Sequence, residues 1–259
     1  MNQFGDLYSQ YYDLLYHDKD YSAEVDYIDS LIREYGSNTK TILDLGCGTG
    51  KHDELLCNKG YTLHGVDIST KMLEVAETRR KGKESKLVFS QSDITQLHFD
   101  KRFDSVISLF HVMSYQNTNA ALEKVFSGVK DHLNKGGLFI FDFWYGPAVL
   151  TDLPKTTVKR LENQHIKVTR IAESKLCAQL NTVDVNFNIF ATKTKDGIST
   201  EKKELHTMRY FFDTELNMLC DKYGFDIKAK YEWLTNKKPG FDTWNVVWVL
   251  KNKPLTKKS

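Results

Sequence analysis

Leu43-Asp44-Leu45-Gly46-Cys47-Gly48-Thr49-Gly50 is the stretch on which the fold turns. Thr41 to Leu45 is short and mostly apolar, which fits a buried strand. Three glycines at alternate positions then make a turn, and a helix through Leu55 and Leu56 follows it. Glycine suits such a turn because, lacking a Cβ, it takes positive φ and lets backbone approach a ligand closely.

Outward from this stretch, strand and helix alternate. A helix is predicted over Tyr21 to Tyr35, with Val25, Ile28, Leu31 and Ile32 at helical spacing. Thr62 to Asp67 reads as the next strand, and Ser69 as the cap of a helix from Thr70 to about Arg80. Leu87 to Phe89 and Phe103 to Leu109 read as strands three and four. A helix from Ala120 to Leu133 is expected to stop at Gly136-Gly137, before strand five at Leu138 to Asp142. Alternation of this kind implies a doubly wound, mostly parallel sheet with helices on both faces.

The pattern changes after Pro147. Asn181 to Thr194 alternates apolar and polar residues, the mark of a half-buried antiparallel strand. Val158 to Ile171 and Glu204 to Phe212 are expected to pair with it. Residues 151–212 are therefore read as an inserted antiparallel β-subdomain, between the main-domain segments 1–150 and 213–259. Asp213 is expected to cap a helix ending at Gly224. Strands at Asp226 to Trp233 and Thr243 to Leu250 bring the main sheet to seven.

The glycine spacing narrows the ligand. Dinucleotide sites favour G-x-G-x-x-G, where a pyrophosphate meets a helix N-terminus. Here the spacing is G-x-G-x-G, and an acidic residue, Asp44, stands two positions before the first glycine. A carboxylate there suits a cofactor with an ammonium group and no phosphates, such as S-adenosylmethionine. Asp67 ends the second strand, 17 residues past Gly50, where a carboxylate can accept both hydroxyls of a ribose.

Composition excludes several classes. The 259 residues are 41% hydrophobic and 27% charged, with a net charge of +2, so no strong field draws nucleic acid or an anionic membrane. No apolar run approaches the roughly 20 residues of a membrane helix, and the first residues do not read as a signal peptide. Cys47, Cys57, Cys177 and Cys220 show no C-x-x-C spacing, and no metal-ligand cluster stands out. The expected setting is the cytoplasm, with a small-molecule acceptor and no nucleic-acid or membrane partner; a homodimer is compatible with the sequence.

Together, these residues resemble the class I S-adenosylmethionine-dependent methyltransferases over positions 40–145 and, more loosely, the last strands. The resemblance implies that Asp44, Gly46, Cys47, Gly48 and Gly50 lie along the methionine part and that Asp67 holds the ribose. It implies that Ile68 and Met72 flank the adenine, and that Ser92, Asp93 and Ile94 lie at its edge, with Asp93 accepting from the amino group. Leu109 closes strand four on the cofactor side. Bland readings stand beside these: Asp44 as a loop anchor, Asp67 as a helix cap, Asp93 as a turn residue.

Tyr12-Asp13-Leu14-Leu15-Tyr16, Gly48-Thr49-Gly50-Lys51-His52 and Asp142-Phe143-Trp144-Tyr145 further resemble bacterial N-methyltransferases of nucleotide-linked amino sugars, although Asp142 stands where a glutamate is common. This resemblance implies that the inserted β-subdomain covers the acceptor site. An amine acceptor must lose a proton before or during attack. His111 is the candidate base, because it follows strand four at the carboxyl end of the sheet and an imidazole titrates near neutrality. Tyr12 and Tyr16 are candidates for contact with the methyl group or acceptor; Tyr115, Trp144 and Tyr145 are candidates for the acceptor wall. Packing is the competing reading for each of these. The rival functions are O-methylation of a sugar or other metabolite, a silent S-adenosylmethionine-binding subunit, and a nicotinamide dehydrogenase, against which the glycine spacing speaks.

Overall fold

A computed structural model describes residues 14–15, 19–195 and 197–253. Tyr12 and Tyr16 lie outside the described residues. The chain divides into two compact units.

The larger unit holds Tyr21–Thr151 and the chain from Tyr210 onward. It begins with α1 (Tyr21–Tyr35), then β1 (Thr41–Leu45), α2 (Lys51–Asn58), β2 (Thr62–Asp67), α3 (Thr70–Arg79), β3 (Leu87–Gln91) and β4 (Phe103–Ser108). Then come α4 (Asn119–His132), β5 (Leu133–Tyr145) and the short α5 (Gly146–Thr151). Strand β3 pairs with β2, β2 with β1, β1 with β4 and β4 with β5, all in parallel. Near the chain's end, α6 (Asp213–Tyr223) leads to β10 (Phe225–Glu232) and β11 (Asn245–Asn252). Strand β11 runs antiparallel to both β5 and β10, which completes seven strands in the order β3-β2-β1-β4-β5-β11-β10.

Apolar residues of both sheet faces are buried under helices. Val25, Ile28 and Leu31 of α1, Leu56 of α2 and Ala76 of α3 pack on Ile42, Ile107 and Ile140. Leu122, Val125 and Phe126 of α4 and Leu216 of α6 pack on Val106, Phe139 and Trp248 of the other face. Helix α1 also docks through polar contacts: Glu24 meets His52 Nε2 at 2.7 Å, and Tyr61 donates to Asp29 at 2.6 Å.

The smaller unit contains β6 (Thr157–Glu162), β7 (Ile166–Cys177), β8 (Thr182–Lys193) and most of β9 (Ser199–Phe211), each antiparallel to the next. Leu15 packs there against Ile166, Val168, Ile189 and Ala191.

Three details depart from expectation. Residues 158–171 are not one strand but the β6–β7 hairpin, because Asn163 Oδ1 accepts from the His165 and Ile166 backbones and turns the chain. Gly136-Gly137 does not stop a helix: α4 ends at His132 and the chain passes directly into β5. Gly136 takes φ +76° beside the irregular β4–β5 pairing, and a Cβ on Gly137 would meet the Asp104 carbonyl at 2.8 Å. The cap of α6 is Phe212, whose N–H donates to Glu215 Oε1 at 2.8 Å, while Asp213 pairs with Lys230. Ser69 does cap α3, accepting from the Met72 N–H, and Gly224 ends α6 with φ +69°.

Candidate functional site

The glycine loop between β1 and α2 is held from below and open above. Gly46 and Cys47 both donate their N–H to the Val66 carbonyl of β2. Gly46, Gly48 and Gly50 all have positive φ, at +81°, +55° and +69°. Two of them are pinned by neighbours: a Cβ on Gly46 would strike Val112 at 2.6 Å, and one on Gly50 would strike the Phe89 ring at 2.6 Å. A Cβ on Gly48 would meet nothing within 4 Å, so this glycine faces space that a ligand can fill. Cys47 is buried and burial pushes its thiol up, so it packs rather than reacts.

Asp67, at the end of β2, ties this loop to the next helix. Its Oδ2 accepts from the Gly48 N–H at 2.9 Å, and its Oδ1 from the Ser69 N–H at 2.8 Å. Each oxygen keeps a lone pair for a further donor.

Beneath the loop lies a buried carboxyl pair. Asp44, in β1, is 2% exposed, and Asp53, in the first turn of α2, is 0% exposed. Asp44 Oδ1 and both Asp53 oxygens accept no hydrogen bond. Burial, and then the charge of Asp53, push Asp44 well above the usual carboxylate range. Burial raises Asp53 to about 6, and the neighbouring Asp44 moderates the rise. Sequence reasoning found Asp44 and missed Asp53.

The expected adenine side is assembled near the ends of β2 and β3. Ile68, just past the end of β2, is 69% exposed. Gln91 donates to the Ile68 carbonyl, and Met72 is half-buried at the start of α3. The Ser92 N–H donates to the Asp67 carbonyl and Ile94 is buried. Asp93 already serves as a turn cap: Oδ1 accepts from the Thr95 N–H at 2.8 Å and from the Thr95 hydroxyl, and Oδ2 from Gln96. Leu109, just past β4, is packed in the core under α1–α3.

Phe110 and His111 follow β4 with φ +63° each, two successive bulky residues in the left-handed region. Such strain needs outside support and clusters at functional sites. Asp142 of β5 gives that support: the His111 backbone N–H points at both of its carboxylate oxygens, 3.2 Å away. His111 Nδ1 also stands 2.7 Å from Asp142 Oδ2, off the line a ring N–H would take, so the two side chains are in close contact without a hydrogen bond. Asp142 is 1% exposed.

Trp144 lies two residues beyond Asp142 and on the same face of β5, with its ring 6.2 Å from that of His111. Tyr115 ends the short turn after His111 and is half exposed. The structure does not bring Tyr145 to this group. It points to the opposite face of β5 and packs against the core that contains Phe143 and Leu216, as strand alternation requires.

The partnerless buried carboxyl oxygens and the room above Gly48 fit a cofactor that brings an ammonium group past the glycine loop. The comparisons agree. A family model described as a methyltransferase domain matches residues 42–137. A dTDP-3-amino-3,4,6-trideoxy-alpha-D-glucopyranose N,N-dimethyltransferase from Streptomyces venezuelae is 29% identical over 143 residues, 54% of this chain and 59% of that enzyme. A relative from Geobacillus sp. (strain WCH70) is 29% identical over 136 residues, 52% of this chain and 55% of the relative. The chain thus matches a little over half the length of each of these relatives. The solved S-adenosylmethionine-dependent methyltransferase from Clostridium acetobutylicum ATCC 824 superposes with a TM-score of 0.82 at 24% identity, covering 98% of this chain and 100% of that one, which establishes the fold. Residues 42–137 match the methyltransferase-domain model, and the chain has the α/β fold of the solved S-adenosylmethionine-dependent methyltransferase.

Proposed function

We propose that the protein transfers a methyl group from S-adenosylmethionine to a small-molecule amine, with the amine of a nucleotide-linked amino sugar as the favoured acceptor. The observation that carries the methyltransferase reading is the carboxyl pair Asp44–Asp53 below a glycine loop open at Gly48. The amino-sugar choice rests on the named activity of the Streptomyces venezuelae relative.

In this reading Asp44 receives the ammonium group, Asp67 accepts from the ribose hydroxyls, and Ile68 and Met72 flank the adenine. When bound, the cofactor supplies a sulfonium methyl that an amine lone pair can attack in line. His111 takes the proton that the amine must lose, and Asp142 fixes the ring and compensates its positive charge. Trp144 forms a wall beside His111 for the acceptor. Holding amine and methyl in line is worth on the order of 7–11 kcal/mol over encounter in solution. Cytoplasmic action fits the four free thiols.

The test is turnover of the purified chain with S-adenosylmethionine and paired sugar nucleotides that carry either an amine or a hydroxyl at the same carbon. Mass spectrometry of the products reads the outcome. A gain of one or two methyls on the amine alone supports the proposal. Methylation of the hydroxyl compound alone replaces it with O-transfer, and no transfer to either removes the amino-sugar acceptor.

A further inference from the structure

Asp53 has no assigned part so far, yet its position is costly. A carboxyl in the first turn of a helix ordinarily faces water, where it answers the free N–H groups. This one is fully buried, neither of its oxygens accepts a hydrogen bond, and it lies close enough to buried Asp44 for each to shift the other's carboxyl. Burying an ionised carboxylate without a partner is expensive, and burying two side by side is more so.

The groups around the pair do not relieve it. Asp67 of β2 and Asp142 of β5 both add negative charge toward Asp44. The Cys47 thiol in the loop feels the same carboxylates. His52, beside Asp53 on α2, acts in the opposite direction on Asp53, but its Nε2 is already engaged by Glu24 at 2.7 Å. Two carboxyls in contact away from water do not both ionise; they titrate as a pair and hold one proton between them near neutrality. The pair then carries a single negative charge.

We propose that Asp53 and Asp44 form a proton-sharing carboxyl pair that receives the cofactor's ammonium group and gives up its proton when that group arrives. The inference rests on the cofactor reading above. Its balance is simple. The O–H bond of the pair breaks, the proton passes to solvent, and both carboxylates are left ionised around an ammonium group that keeps its charge. The buried site holds one net negative charge before binding and one after it, so the pair is stable in both states. Asp53 is thus a positioning residue for the cofactor's amino-acid end, and a ligand without an ammonium group leaves the proton in place.

Calorimetry of the ligand-free full chain tests this without reference to turnover. S-Adenosylmethionine is titrated near neutral pH in phosphate and in Tris, whose ionisation enthalpies differ strongly. The expected result is a buffer-dependent heat equal to about one proton released per site. 5′-Methylthioadenosine, which lacks the amino-acid end, is expected to bind with no such dependence. Asp53→Asn is expected to abolish the release and to weaken S-adenosylmethionine binding about 10- to 100-fold, as for loss of a charged acceptor. Tight binding of S-adenosylmethionine with equal heats in both buffers overturns the proposal. So does equal release by 5′-methylthioadenosine or by the Asn variant. If that variant does not fold, the two ligands on the unaltered chain decide alone. Absence of S-adenosylmethionine binding to folded protein overturns the cofactor reading itself, and this inference with it.

Discussion

His111 Nδ1 and Asp142 Oδ2 meet at 2.7 Å across the ends of β4 and β5, and the His111 backbone N–H is aimed at the same carboxylate. One buried side chain therefore fixes both a ring and a strained backbone. His111→Ala is expected to lower kcat by about 10²-fold or more, the usual worth of a positioned base, and to leave the Kd for S-adenosylmethionine unchanged. Asp142→Asn is expected to lower kcat as well, with partial recovery in Asp142→Glu. Steady-state kinetics with calorimetry for Kd measure both. Undiminished kcat in His111→Ala removes this residue from proton transfer.

Gly46 and Gly48 share positive φ but not surroundings, and the difference separates folding from binding. Alanine at either position costs about 1–2 kcal/mol for the left-handed backbone. At Gly46 the new methyl also meets Val112 at 2.6 Å, whereas at Gly48 it meets nothing. Gly46→Ala should therefore lower Tm well beyond Gly48→Ala, given roughly 2–4 °C per kcal/mol for a domain of this size. Gly48→Ala should keep the fold and lose cofactor affinity. Thermal melts and calorimetry on the two variants decide it. Equal melting with intact cofactor binding in Gly48→Ala would show that the space above Gly48 is not the ligand's.

The seven strands and the glycine loop were legible in the sequence because each is a local pattern: a short apolar run, alternation, or a glycine where φ is positive. Asp53 was not, because an acid between His52 and Glu54 in a first helical turn looks like an ordinary solvated residue. Only tertiary packing turns it inward onto Asp44. The His111–Asp142 contact joins residues 31 positions apart, which no spacing rule reveals. Tyr145 was separable in principle, since the period of two in β5 already sets it opposite Trp144. Gly136-Gly137 imitated a helix stop because a strand irregularity asks for the same backbone freedom.

That alternation gives a further expectation. Trp144→Ala removes the aromatic face beside His111 and should raise KM for the acceptor, leaving cofactor Kd as it was. Tyr145→Phe keeps the ring in the core under α4 and α6 and should leave acceptor KM unaltered. Initial-rate kinetics against acceptor concentration compare the two. A raised KM in Tyr145→Phe with none in Trp144→Ala would reverse the assignment of faces.

Asp104 supplies a test of stability against pH. Its Oδ2 accepts from the Lys40 N–H, the Thr41 N–H and the Thr41 hydroxyl, at 3.0, 3.0 and 2.9 Å, and its Oδ1 accepts from Asn134 at 2.8 Å. Burial pushes this carboxyl up, but the hydrogen bonds outweigh it and hold it below the usual aspartate range. A group depressed in the folded state stabilises the fold above its unfolded pKa of about 3.9, and that stabilisation is lost as pH falls through the lower folded value. Asp104→Asn keeps one oxygen to accept from Lys40 and Thr41, without its charge, and sets an NH2 group against the Asn134 Nδ2 donor. It should cost about 1–2 kcal/mol at neutral pH, after allowance for solvent screening. Denaturant unfolding of both proteins near pH 7 and again below about pH 3 measures the gap. The gap should narrow at the lower pH, because protonation takes from the native protein what the substitution has already removed. An equal gap at both values would mean that Asp104 stabilises β1 by shape alone and that its charge is not used.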